Sequence, residues 1–398
     1  MKKSYTLAGL AAAGLLLAAP AMAQDVKLGF LADVTGPIAG FAPTMVTSGN
    51  TAIQNVNDQG GILNGGKLSS VVADTACSAD QGGPAADRLV NTEKVTAIFG
   101  AYCSGPTIAA ANGAAIPGNV VMISPSATAP AVSELKDNDL IFRDVVPDSE
   151  QGTKGAQLLL SKGIKTVALT YVNGDYGKGL ADAFTAAYTA AGGKVVASVP
   201  HEDGKSDYRP EIGQLESSGA DTLVIYGYEN AGGGTILDQA VESGTFKQYV
   251  GGDGMAGDAL VKNHKNIDGM ILTKAAPAAG PAYDAFVALA KAANFDPTST
   301  YAAQSYDAVF ALALAIEKNG NADRAGVSKA LRDVATAPGD VILPGEWKKA
   351  VADIKAGKDI DYKGASTEME FDKNGDVPGA IEWFTIEKGA VKDQGLIK

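Results

Sequence analysis

The chain has 398 residues, of which 46% are hydrophobic and 20% charged, with a net charge of −12. That length allows two or three domains with substantial cores. The acidic balance argues against nucleic acid and anionic membrane surfaces as partners.

The chain starts with Lys2-Lys3, an apolar run to Ala19, and Ala21-Met22-Ala23 before Gln24. A basic start, an apolar core and an A-x-A site mark residues 1–23 as a secretory signal peptide. A transmembrane anchor would need roughly 18 or more apolar residues and no cleavage site. No Cys follows the run, so a lipid anchor is not indicated, and no later run is long enough to span a bilayer. The exported chain is more acidic still once Lys2 and Lys3 leave with the leader.

From residue 24, short apolar β-branched runs alternate with Ala-rich amphipathic segments. Strands are predicted over 26–31, 68–73, 95–99, 120–123 and 140–143, with a helix over 44–57 ending at Gly60-Gly61. Cys77 and Cys103 are the only cysteines, and an even count in an exported chain points to one bridge. Two buried free thiols are the alternative.

The stretch 100–130 carries the most chemistry. It holds two hydroxyl-bearing turns, Cys103-Ser104-Gly105 and Ser124-Pro125-Ser126-Ala127-Thr128, each after an apolar run. The first opens a segment of helical composition, 107–115. Free N–H groups at a helix start, with a Ser or Thr hydroxyl beside them, suit a small anion. Two such turns at adjacent strand ends could hold one carboxylate between them.

After a break at Val145-Val146-Pro147, a second set of strands follows at 166–171, 194–199, 222–226, 248–251 and 270–273. Helices are predicted over 179–191, 235–243, 283–293 and 302–318, several with Gly just past the end as a left-handed cap. Strand and helix alternating in this way indicate parallel sheets, read here as two α/β lobes. Residues 338–364 read as a charged, loop-like insertion with Trp347 in a short helical patch. The tail alternates with period two over 368–371 and 381–386 around Asp372-Lys373-Asn374-Gly375-Asp376, a hairpin signal.

Several motifs fail on context. Gly252-Asp253-Gly254-Met255-Ala256-Gly257 matches G-x-G-x-x-G, but it lies far from the first βαβ unit and Asp253 would face the pyrophosphate. Asp253 at a strand end, in a loop that leaves room, suits a ligand cation better; a plain solvated turn Asp is the bland alternative. The Asp372 run begins like a calcium loop, but Val377 and Trp383 stand where the Gly and the bidentate acid belong. There is no G-x-S-x-G elbow, and two Cys with two distant His, His201 and His264, have no metal-ligand spacing. No cofactor is expected. Phe41, Tyr102, Tyr176, Tyr226, Tyr228 and Tyr306 fall near strand ends and loops, where together they could wall an apolar pocket with polar rims.

Taken together, Gly36-Pro37, Asn57-Asp58-Gln59-Gly60-Gly61-Ile62, the paired Cys77 and Cys103, Ser124 to Pro130, and Asp175-Tyr176-Gly177-Lys178-Gly179 carry a resemblance in their order and spacing. The chain resembles the periplasmic solute-binding proteins of branched-chain amino acid ABC transporters, of the leucine/isoleucine/valine type. The resemblance covers essentially the whole exported chain. It implies the type I periplasmic binding fold: two doubly wound parallel-sheet lobes joined by three crossover strands, closing on a ligand by a hinge. Lobe one would be 24–145 plus 277–367, and lobe two 146–276 plus 368–398. Ser104, Thr128 and the backbone near Ser126 would hold the ligand carboxylate, and Asp253 the ammonium, where many relatives carry Glu. Tyr228 would neighbour Asp253, while Tyr102, Tyr176 and Tyr306 would line the side-chain pocket. Phe41 stands where the best-known members have Tyr or Trp.

A zwitterion gripped from both lobes favours closure, because neither lobe alone satisfies both charges. The leading expectation is a periplasmic, monomeric binder of a branched-chain or other small apolar amino acid, serving an ABC permease. Binding of an aromatic acid or amide, or a ligand-sensing module, are the alternatives. An enzyme comes last, for want of a catalytic constellation.

Overall fold

The computed structural model describes residues 22–398. The signal-peptide expectation, over 1–23, therefore lies almost wholly outside the described residues. Among the described residues no helix is long and apolar enough to cross a membrane.

Five strands form the first sheet: β1 (Val26–Ala32), β2 (Leu68–Asp74), β3 (Ala97–Gly100), β4 (Val121–Ser124) and β5 (Ile141–Arg143). They run parallel in the order β2-β1-β3-β4-β5. β3 and β4 are buried along their whole length, which explains their continuous apolar sequence. The next five are β6 (Thr166–Val172), β7 (Lys194–His201), β8 (Thr222–Tyr226), β9 (Gln248–Gly251) and β10 (Ile271–Ala275). Two short strands, β11 (Asp340–Ile342) and β12 (Ile360–Tyr362), pair in parallel by themselves. β13 (Ile381–Glu387) and β14 (Ala390–Leu396) close the chain. The second sheet has the order β14-β13-β10-β9-β8-β6-β7, antiparallel only at β13 and β14. Its parallel part, β7-β6-β8-β9-β10, repeats the order of the first sheet strand for strand. The chain passes between the sheets at 144–147, at 276–280 and again between β12 and β13.

Helix Ala302–Asn319 is apolar on almost every side and buried through sixteen of its positions from Ala302 to Glu317. A helix of that kind belongs inside a core. It packs on helix Ala42–Asp58, where Gly49 lets Phe30 and Val309 approach; a Cβ there would meet both at 3.2 Å. Its one fully buried acid, Asp307, accepts from the Tyr362 hydroxyl at 2.6 Å and from the Ser366 N–H at 2.7 Å.

Two expectations need correction. Residues 338–364 are not loop-like: β11, helix Trp347–Lys355 and β12 form a compact unit. Trp347 is fully buried and donates from its indole to Gly61 O at 3.0 Å. The charged face of that helix misled, because only Trp347 and Ala350 are buried. The tail hairpin is real but pairs differently. β13 pairs with β14, while 368–371 forms no strand. The turn at Asp372–Asp376 serves another purpose, since Asp376 binds the fully buried Arg143 at 2.6 Å.

Candidate functional site

The C-terminal ends of β1, β3 and β4 supply one side of a small cavity, and the ends of β6, β8 and β9 the other. Ligand crevices form at such strand ends in open parallel sheets. Ile38, Phe41, Met45, Tyr102, Cys103, Ser104 and Ser126 line the first side; Tyr176, Tyr228, Asp253 and Gly254 line the second, with Tyr301 between them.

The first side is built around a buried acid that the sequence reading missed. Asp33, just past β1, is fully buried. It accepts from Cys77 N–H at 2.9 Å, Tyr102 N–H at 2.8 Å, Cys103 N–H at 3.1 Å and the Thr75 hydroxyl. It thus clamps both ends of the Cys77–Cys103 disulfide, whose Cα atoms lie 5.4 Å apart. The bridge and the clamp fix the turn that presents Ser104. Ser104 Oγ accepts from Ala129 N–H at 3.2 Å, and Ser126 Oγ donates to Tyr102 O at 2.8 Å, tying the two hydroxyl turns together. Beneath the second turn, Arg143 donates to Ala127 O at 3.1 Å and Ala129 O at 2.9 Å.

Burial pushes the Asp33 carboxyl up to about 6, against the pull of the three backbone amides. An acid raised in this way takes up its proton in the folded chain before it does in the unfolded one. Its contribution to stability is then largest below about pH 4 and is lost as pH rises through about 6. A shift of about two units corresponds to about 3 kcal/mol. Denaturant titrations of Asp33→Asn are expected to show lower stability throughout and a flattened slope over that window. An unchanged slope would remove Asp33 as its source.

The second side centres on Asp253, which is 2% exposed. Tyr176 OH donates to Oδ1 at 2.7 Å, Gln151 Nε2 donates to the same oxygen at 3.0 Å, and Tyr301 OH donates to Oδ2. Among the described residues no basic one lines the cavity, and Asp253 is its one charged group. Burial and then the Asp253 charge push the Tyr176 and Tyr301 phenols well above their ordinary value, which keeps them donors. Tyr176 and Tyr228 stack at 5.2 Å, and Phe41 and Tyr301 lie 6.4 Å apart. The loops carrying Tyr228 and Asp253 are tied together where Glu229 N–H meets Gly254 O at 2.9 Å. Glu229 lies 3.3 Å from His264, which also meets Asp238 at 2.8 Å. Burial pulls that imidazole down, but the two acids outweigh it and hold it above its ordinary value.

Of the residues expected at the site, Ser104, Ser126, Asp253, Tyr228, Tyr176, Tyr102 and Phe41 line this one cavity. Thr128 does not line it. Its buried hydroxyl has no hydrogen-bond partner and it sits beside Asp148, whose N–H donates to Thr128 O at 2.9 Å. Asp148 is itself wholly buried with both oxygens unpartnered, and burial, then Asp253, push its carboxyl well up. Tyr306 lies in the aromatic core instead, stacked on Phe310 at 5.5 Å, its hydroxyl accepting from Gly345 N–H at 3.0 Å. Tyr301 stands at the cavity where Tyr306 was expected. It is held at φ +64, a left-handed turn that directly precedes helix Ala302–Asn319. Gln151, on the helix after the first crossover, carried no sequence signal.

A family model described as "Periplasmic binding protein" matches residues 25–357. The leucine-, isoleucine-, valine-, threonine- and alanine-binding protein of Pseudomonas aeruginosa is 32% identical over 340 residues, covering 83% of this chain and 87% of that one. The Leu/Ile/Val-binding protein of Escherichia coli is 30% identical over 335 residues, covering 82% and 88%. Among solved structures, the branched-chain amino acid substrate-binding protein of Streptococcus pneumoniae in complex with isoleucine has a TM-score of 0.77 at 25% identity, covering 94% and 100%. A solute-binding protein of R. palustris in complex with benzoate also has a TM-score of 0.77, at 16% identity, covering 94% and 96%.

Proposed function

The chain belongs to the periplasmic binding proteins, and from that premise we propose that it is the solute-binding component of an ABC importer, taking an α-amino acid with an aliphatic or other small apolar side chain. It is a binding protein rather than an enzyme. One observation carries the choice of ligand: among the described residues Asp253 is the sole charged group of a cavity otherwise lined chiefly by aromatic rings, apolar side chains and hydroxyls. A ligand that is only an acid would bring a second negative charge against it, which like-charge repulsion opposes. A ligand ammonium would neutralise it. That weighs against the aromatic-acid reading, even though a relative of the same fold holds benzoate.

In this reading the ligand carboxylate lies toward Ser104 and Ser126, the ammonium meets Asp253, and the apolar side chain packs among Phe41, Tyr102, Tyr176 and Tyr228. Thr128 joins only after a small movement of its turn, and Tyr306 acts through the core. The lobes would be 24–145 plus 277–367 and 146–276 plus 368–398, each built on one sheet, closing by a hinge at the crossovers. With its leader removed, the protein acts in the periplasm as a monomer that delivers its ligand to the permease. The S. pneumoniae relative with isoleucine supports the ligand class.

A thermal-shift screen of the exported chain against the twenty amino acids and small organic acids tests this reading. Ligands that bind only the folded state raise the midpoint by about 2.7 kcal/mol equivalent at a hundredfold excess over Kd. Aliphatic amino acids are expected to give the largest shifts. Hits confined to compounds without an amine would overturn the assignment.

A further inference from the structure

The segment 253–264 gives Asp253 and Gly254 to the cavity, and a single residue grips it at both ends. Glu229, directly after Tyr228, donates its backbone N–H to Gly254 O at 2.9 Å. Its carboxylate reaches the other end, where Asn263 Nδ2 donates to Oε1 at 2.9 Å and His264 Nε2 lies 3.3 Å from the same oxygen. Between the two ends Gly257 lies so close that an added Cβ would meet Oε2 at 2.6 Å. The Glu229 side chain is 1% exposed, and among the described residues Oε2 has no hydrogen-bond partner. His264 is the one basic group among them paired with this buried acid.

The other ring nitrogen of His264 meets a second acid. Nδ1 lies 2.8 Å from Oδ1 of Asp238, on helix Gly232–Ser243. Gly234 of that helix also closes on the ring, since a Cβ there would meet Cε1 at 2.9 Å. On the imidazole's own segment Lys262 is exposed, and Lys265 is turned to Val261 O and Lys262 O. A ring with a carboxylate at each nitrogen is satisfied on both sides only when both nitrogens carry hydrogen. The neutral ring keeps one N–H and turns a lone pair toward the other acid. The Glu229 contact is the longer of the two, so the lone pair falls there and the hold on Glu229 is lost.

We propose that His264, as the imidazolium, is a positioning residue for the ligand site: it steadies Glu229, and through Glu229 the segment that presents Asp253 beside Tyr228. Loss of its proton loosens that segment and weakens ligand binding. The effect on affinity rests on the amino acid reading of the cavity; the hold on the segment does not. Against burial, the two acids keep the ring above its ordinary value. Its contribution is therefore complete below about pH 6.5 and is lost as pH rises through the raised value. His201, the one other histidine, is pushed by burial down to about 4 and is silent in this range.

The test is NMR of the full exported chain without ligand, from about pH 6 to about pH 9. The His264 ring is expected to titrate above about 6.5, with the amides of Tyr228, Asp253 and Gly254 moving at the same midpoint. In His264→Gln that movement disappears, although Asp33 and Glu382, which titrate near this range, remain. Asp238→Asn, at a side chain 48% exposed, should bring the ring midpoint and the amide movement down together. L-leucine affinity by calorimetry should fall about tenfold over the same range in the native protein and stay flat in His264→Gln. A ring that titrates at or below about 6.5, amides that move alike in native and His264→Gln protein, or leucine bound equally well by the native protein throughout would overturn the proposal. Failure of leucine to bind at any pH would count against the amino acid reading alone, because the ring and amide measurements need no ligand.

Discussion

Asp253→Ala is expected to abolish tight amino acid binding, with a loss of about 2–5 kcal/mol, or roughly thirty- to several-thousand-fold in Kd. The size follows from burial. In the closed cavity a ligand ammonium has no other anionic partner and little water, so removing the carboxylate leaves a buried charge unpaired. The donors now focused on Asp253, from Tyr176, Tyr301 and Gln151, would also lose their acceptor. Asp253→Asn keeps the shape but not the charge and should lose nearly as much, separating charge from packing. Calorimetry showing unchanged affinity in both variants would reject an ammonium at this position.

Replacing Cys77 and Cys103 together by Ala is expected to have the largest effect on stability. The bridge closes a loop with a sequence separation of 26, and on the chain-entropy model such a loop stabilises by about 3–4 kcal/mol. For a chain of this size the midpoint would fall on the order of 5–10 °C. The loss also reaches the site, because the same turn presents Tyr102 and Ser104. Ligand affinity should therefore fall along with the midpoint, and reductant on the native protein should reproduce both changes. Equal melting of oxidised and reduced protein would sink the argument. The Asp33 clamp is the reason to expect partial rather than complete loss, since four donors hold the turn without the sulfurs.

Much of the architecture was legible in the sequence because two-sided burial writes itself as continuous apolar runs. β3, β4 and β8 are such runs and were placed to within two residues. Helix ends were legible where a glycine caps in the left-handed region, as Gly244 does at φ +69. The strand-end rule then brought Ser104, Ser126 and Asp253 to one crevice. What failed was finer than an element. Tyr301 and Tyr306 are five residues apart at one helix start, and sequence does not say which ring turns to the cavity. A left-handed residue that is not glycine, as at Tyr301, has no compositional mark. Asp33, Gln151 and Asp148 work through contacts distant in sequence, such as the 102-residue separation between Gln151 and Asp253. The tail hairpin went astray because 368–371 shares the alternation of a strand but lies where the chain crosses between sheets.

The helix Ala302–Asn319 completes the first sheet's core, yet it follows the whole parallel part of the second sheet in the chain. Ser48 meets Ala302 across a sequence separation of 254. Such distant partners make for slow folding. The amino-terminal half therefore emerges from the ribosome as a nucleus that cannot finish, while the middle of the polypeptide can pair its strands first. The last segment to arrive then sets the moment at which the molecule locks.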